Sequence, residues 1–263
     1  MPKIRGNHTG GAMQQQIMLK IKAVRPATLL AGALLCIGIV PVAMAQPLLN
    51  GTQEAQLSAW LGEGPLALTS IYTKAAGDTS FDFHQAADGK GRTFSVMQAS
   101  NAAGQTWLVG GYNPQSWNSS GTYNMTPEAR DRTAFIFNLT SGQHFLQTPK
   151  TYALDTVGSY QTFNDINAGP TFGIGADLGM SADLSTNGIS SRYSYIDPVN
   201  GIFGASLLDG APYGSYPNVT FGAMQVFSIS AVPEPASYAM MAVGLLLLGS
   251  VRGRRRPQRS QQA

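Results

Sequence analysis

Seven stretches rich in β-branched and aromatic residues, each set off by Gly, Asn, Asp or Ser, constrain this chain more than any other feature. They cover 66–73, 92–98, 105–112, 133–140, 171–178, 192–196 and 219–229. Short runs of this kind between turn-forming residues are the pattern of antiparallel strands. The clearest alternates Phe135, Phe137 and Leu139 with Ile136, Asn138 and Thr140. So many strands in so short a span predict a mainly β (α+β) fold, a β-sandwich with a few flanking helices. One helix is predicted over 52–61, where Asn50 can cap, Gln53 can return the hydrogen bond, and Leu57, Trp60 and Leu61 share a face. Another follows the Gly77-Asp78 turn, over 80–87. In the last strand, simple alternation puts Phe221 and Phe227 on the same face. No repeat of solenoid period is present.

The 263 residues suit one domain with appendages. Cys36, the single cysteine, lies in an N-terminal apolar run, so the folded part has no thiol. Disulfides, thiolate zinc sites, iron–sulfur clusters and a cysteine nucleophile are thereby excluded from it. The net charge of +3 misleads, because the charges are segregated. Of 17 Lys and Arg, five (Lys3, Arg5, Lys20, Lys22, Arg25) precede the first apolar run and five (Arg252, Arg254, Arg255, Arg256, Arg259) follow the last. Residues 46–232 keep the other seven (Lys74, Lys90, Arg92, Arg130, Arg132, Lys150, Arg192) against 13 of the 14 acids, a balance of −6. Scattered cations on an acidic background cannot displace phosphate counterions, so nucleic acid is not expected as a partner.

Residues 18–45 combine a basic start, an apolar stretch over 27–40 and small residues at Ala43 and Ala45. That is a secretory signal, with Ala43 and Ala45 at the positions a signal peptidase reads. Pro41 closes the apolar run short of the roughly 20 residues a bilayer crossing needs. Translation can start at Met1, Met13 or Met18. At the other end, Pro233-Glu234-Pro235 precedes 16 uncharged residues, 236–251, and then Arg252-Gly-Arg254-Arg255-Arg256. The run makes a helix of about 24 Å, which Tyr238 and the flanking arginines extend to the two interfaces of a membrane. Arginines beyond it set the topology: they stay cytoplasmic, and the preceding domain faces outward.

Those three parts in that order resemble the PEP-CTERM sorting signal. The resemblance implies processing at Pro233, Glu234 and Pro235 by an exosortase, a membrane enzyme of Gram-negative bacteria that make extracellular polysaccharide. The alternative is a permanent tail anchor with a proline-rich spacer. The chain thus divides into a leader (1–45), a short helical lead-in (46–64), a β domain (65–230) and a sorting segment (231–263). The last comprises the motif at 233–235, a membrane helix over 236–251 and an arginine-rich tail over 252–263.

The central segment resembles the TLD (TLDc) domain over roughly 65–230. The likeness is carried by Leu68-Thr-Ser-Ile-Tyr72, Gly77-Asp-Thr-Ser80, Gly91-Arg-Thr-Phe94, Gly110-Gly-Tyr112 with Trp117, Ala134-Phe-Ile-Phe-Asn-Leu139, Phe172-Gly-Ile-Gly-Ala-Asp-Leu178 and Phe221-Gly-Ala-Met-Gln-Val-Phe227. The resemblance implies a β-sandwich with flanking helices whose first and last strands meet. Gln225 stands where that family usually has an acidic residue. No catalytic residues come with the resemblance.

Candidate chemistry in the domain is sparse. His84 and His144 lack the spacing and glutamate of a zinc protease, and no Gly-x-Ser-x-Gly elbow is present. His84 is read as a packed helix residue and His144 as part of the Ser141-Gly142 turn. Residues 172–179 have the wrong glycine spacing for a dinucleotide site and read as close backbone packing. Asp183 and Asn187-Gly188 resemble a calcium loop at its start, but Ser194 stands where a bidentate Glu belongs, and a hairpin at Asn187-Gly188 is the better account. Trp60, Trp107 and Trp117 can stack on sugars or fill the core.

The expectation is therefore an exported envelope or extracellular-matrix protein, held transiently at the inner membrane and then carried to the surface. Its domain is expected to be a non-enzymatic binding or structural module linked to exopolysaccharide and biofilm, without metal or cofactor. Signal peptidase and exosortase are the expected processing partners. The alternatives are an envelope hydrolase of glycan or peptide and a tail-anchored periplasmic protein.

Overall fold

A computed structural model of the chain describes residues 47–149, 157–196, 201–212 and 219–232, with helical positions at 240–243, 245–246 and 248. The expected leader with Ala43 and Ala45, the Pro233-Glu234-Pro235 motif and the arginines at 252, 254, 255 and 256 lie outside the described residues. Among the described residues no helix is long and apolar enough to cross a membrane. The positions seen as helical near the C-terminus fall within the 236–251 segment, whose other residues are not described.

Local chemistry sets the two helices. α1 (Gly51–Leu61) opens with a reciprocal cap: Gln53 N donates to Asn50 Oδ1 at 3.0 Å and Asn50 N to Gln53 Oε1 at 2.9 Å. Gly62, at φ 74°, closes it in the left-handed conformation. α2 (Ser80–Ala87) starts likewise, with Thr79 N donating to Asp82 Oδ2 at 2.8 Å.

Ten antiparallel strands are described: β1 (Leu66–Thr73), β2 (Thr93–Ser100), β3 (Thr106–Asn113), β4 (Thr122–Met125), β5 (Phe135–Asn138), β6 (Gln143–Leu146), β7 (Tyr160–Asn164), β8 (Thr171–Phe172), β9 (Leu178–Gly179) and β10 (Thr220–Ala231). Six form one sheet in the order β1-β10-β2-β3-β5-β6, and four form a second in the order β4-β7-β8-β9. The last strand lies between β1 and β2, so the chain closes on itself.

Both faces of the large sheet are buried. On one, Phe94, Val96, Tyr112, Phe135, Phe137, Phe227 and Ile229 pack with Leu49 and Leu57 from α1 and its approach. Each buried phenylalanine there contributes about 2 kcal/mol through removal of its ring from water. On the other, Met97, Val109, Ile136, Met224 and Val226 meet Phe83 of α2 and Trp117, Phe172, Leu178 and Tyr195 from around the second sheet. The result is a helix, a six-stranded sheet, and a smaller sheet with the second helix. The sandwich expected from the sequence is present, and α1 adds a cover to its outer face.

Several local expectations are corrected. The predicted strand over 171–178 is two short strands joined by a turn, because Gly173, Gly175 and Ala176 take φ of 76°, 76° and 64°. Residues 192–196 form no strand; Arg192 instead exchanges backbone hydrogen bonds with Gly204 and Ala205. Phe221 and Phe227 face opposite cores, because a bulge between Phe221 and Met224 adds a residue and reverses the alternation. His144 lies in β6 rather than in the preceding turn. Asn187, at φ 52°, turns the chain, but Gly188 and Ile189 bridge Val219 and Gly179 rather than closing a hairpin. Strands β4, β6 and β7 were not anticipated.

Candidate functional site

The two histidines do not come together. His144 stacks on Trp60, with ring centroids 4.9 Å apart and planes at 24°, and burial lowers its pKa from the ordinary value. His84 is buried elsewhere, on the inner face of α2. Its Nδ1 is 2.7 Å from Asp88 Oδ1, and its Nε2 is 2.9 and 3.1 Å from the carbonyls of Asp165 and Ala168. Every one of these neighbours is an acceptor, and the ring bridges helix and loop, donating from a nitrogen that carries a proton. Ser119 Oγ donates to Asp88 Oδ2 at 2.7 Å. A serine nucleophile needs its hydroxyl on the imidazole; here the hydroxyl is on the carboxylate.

Other candidates resolve into packing. Trp117 is fully buried and donates Nε1–H to Thr93 Oγ1 at 2.9 Å, while Trp60 and Trp107 are half-buried. Asp183 accepts from Ser185 N and Thr186 N at 2.9 Å, from Ser181 Oγ at 2.7 Å and from Thr186 Oγ1. The hydroxyl and amide donors of its own loop hold this carboxyl far below the usual range, and they occupy the oxygens a calcium ion would take. Gln225, at the position noted for its missing charge, accepts from Leu48 N at 2.8 Å and donates to Thr73 Oγ1 at 3.3 Å. It pins the lead-in to the sheet.

What sequence reasoning missed lies beside the second sheet. Asp177 is completely buried in the glycine-rich turn that follows β8. Its Oδ2 accepts from Tyr193 N at 2.6 Å and Tyr195 N at 2.8 Å, and its Oδ1 has no hydrogen-bond partner among the described residues. A Cβ on Gly173 would stand 2.0 Å from that Oδ1, so glycine is required for the carboxyl to fit. Burial pushes Asp177 up to about 8, against the opposing pull of the amides and of Arg192. Arg192 is 8% exposed and lies over the Phe145 ring at 3.8 Å. Its Nε donates to Ala205 O at 3.2 Å. It lines a cleft of about 460 Å³ with Ser141, Gln143, Ser206 and Asp209. The nearest sequence signal was weak: Gly173, Gly175 and Gly179 around one acid, and Arg192 as the last cation of the domain.

Residues 231–256 match the PEP-CTERM protein-sorting motif. The match begins on Ala231, the last residue of β10, so the sorting segment starts where the folded sheet ends. It supports an exported, exosortase-processed surface protein, with processing at the membrane. No curated protein matches the chain.

Proposed function

We propose that this chain is an exosortase substrate whose mature form is a non-enzymatic surface or matrix module, associated with exopolysaccharide and biofilm. The observation that carries the reading is the sorting match abutting β10. Val232 N still donates to Pro65 O at 3.2 Å, so hydrogen bonding to the sheet reaches the residue before Pro233. Two prolines bias Glu234 against helix and toward the extended backbone that suits an enzyme cleft. Signal peptidase acts after Ala45, the membrane helix over 236–251 holds the intermediate, and Arg252, Arg254, Arg255 and Arg256 keep its end cytoplasmic. A TLDc-like arrangement is favoured by the pairing of β1 with β10, its first and last strands. The non-catalytic reading is favoured by a His84 ring whose nitrogens both face acceptors.

Intact mass measurement of the protein recovered from the host surface tests the sorting. The expected species starts at Gln46 and ends near Pro233-Glu234-Pro235. Surface molecules that retain residues 252–263, in a host possessing an exosortase, would overturn the reading in favour of a tail anchor.

A further inference from the structure

Two arginines of this domain are equally buried and differently satisfied. Arg132, 9% exposed, donates Nε to Thr126 O at 3.0 Å, Nη1 to Thr148 O at 2.6 Å and Nη2 to Pro127 O at 2.8 Å. That is how a structural guanidinium is accommodated: each nitrogen meets a carbonyl. Arg192, 8% exposed, makes the single bond from Nε to Ala205 O, and its buried Nη1 has no hydrogen-bond partner among the described residues. A buried cation left so poorly paired is costly unless something else supplies the acceptors.

Asp177, the acid that acts on Arg192 electrostatically, does not supply them. Asp177 is turned toward the amides of Tyr193 and Tyr195, and at neutral pH its raised pKa leaves it mostly in the uncharged form. Arg192 remains charged, with its guanidinium carbon 3.8 Å from the centre of the Phe145 ring, and both residues line the cleft. The cleft also carries an acid. Asp209 is exposed there, its carboxylate held by Asn101 Nδ2 at 3.3 Å and Ala211 N at 3.0 Å. A bare anion entering would meet Asp209 as well as Arg192. A ligand presenting a carboxylate among hydroxyl groups satisfies both, since a hydroxyl donates to a carboxylate and accepts from Ser141 or Gln143 at the rim.

We propose that the Arg192 cleft binds a uronic acid unit of an acidic polysaccharide, with the sugar carboxylate on the Arg192 guanidinium and ring hydroxyls on Asp209. The choice of a polymer rests on the surface destination proposed above; the carboxylate preference rests on the cleft alone.

The experiment is calorimetric titration of the protein purified from its host. The probes are oligogalacturonate, a neutral oligoglucan of equal length, and a short peptide with a free C-terminal carboxylate. Oligogalacturonate is expected to bind at least about tenfold more tightly than the oligoglucan, the scale of a charge-assisted fork. Arg192→Gln should remove that difference, and Arg192→Lys should recover only part of it, because a point charge lacks the planar fork. Asp209→Asn, at an exposed position, provides a variant whose folding is not at risk and should weaken the uronate several-fold. Equal binding of charged and neutral sugars, uronate binding that survives Arg192→Gln in a protein of native circular dichroism, or preference for the peptide would each overturn the proposal. Mass measurement of the same sample separates the two readings. Correct processing without uronate binding removes the cleft proposal alone, whereas uronate binding by a chain that keeps residues 252–263 removes the sorting reading alone.

Discussion

The ring of Phe172 on β8 occupies the space above Gly111 of β3 where a side chain would stand: a Cβ there would be 2.5 Å from two of its carbons. Here the small sheet packs directly on the large one. Phe172 is fully buried and meets Trp117 edge-on at 5.4 Å. Gly111→Ala should therefore separate the sheets or displace the ring, with a loss of about 1–3 kcal/mol by overpacking. Urea denaturation measures it. A midpoint equal to the parent's would mean that the two sheets do not touch at this point.

The bulge in β10 makes a second expectation. Phe221→Ala and Phe227→Ala should each cost about 3–5 kcal/mol, and their effects should add, because the rings lie in clusters that share no side chain. Non-additivity of more than about 1 kcal/mol would place the rings in one core. Removal of the whole strand is more severe, since among the described strands β1 pairs only with β10, and β2 would gain an open edge. Residues 46–217 should be poorly structured by circular dichroism and quickly proteolysed beside residues 46–232.

Asp177 predicts a pH dependence. Its folded pKa of about 8 is far above the ordinary 3.8, so between these values the native state holds a proton that the unfolded chain has released. Stability from this group therefore falls as pH rises from about 4 to about 8, and is level above that. Asp177→Asn keeps the acceptor for the Tyr193 and Tyr195 amides and cannot ionise. The variant should lose less stability than the parent between pH 5 and pH 8. Parallel stability curves across that range would show that Asp177 is already ionised in the folded state.

His84→Ala should be destabilising by about 1–3 kcal/mol, because it removes the ring that bridges Asp88 Oδ1 and the partly buried carbonyls of Asp165 and Ala168. The measurement is a thermal or urea transition, read with hydrogen exchange at the Asp165–Ala168 turn. An unchanged transition with unaltered exchange would remove the clamp between α2 and that turn.

Features written in neighbouring residues were legible from sequence. The reciprocal cap of Asn50 and Gln53 and the whole of α2 depend on contacts a few residues apart, and the structure reproduces them; the bounds of β1 were marked by its run of strand-forming residues. The antiparallel sheets followed from runs with high β-branched and aromatic content. The sorting segment was legible because prolines, an apolar run and arginines are recognised by their composition and order along the chain.

Tertiary structure decided what depends on distant partners. Strands β4, β6 and β7 carry polar residues and form because a neighbouring strand satisfies their amides. The face on which Phe227 lies is set by a bulge, which alternation alone cannot reveal, since one extra residue reverses every later side chain. The character of Asp177 and Arg192 is likewise positional. Exposed, they would be an ordinary acid and base; burial raises the carboxyl and leaves the guanidinium short of acceptors at a cleft. Desolvation is a property of the packed chain, and the sequence around either residue carries no record of it.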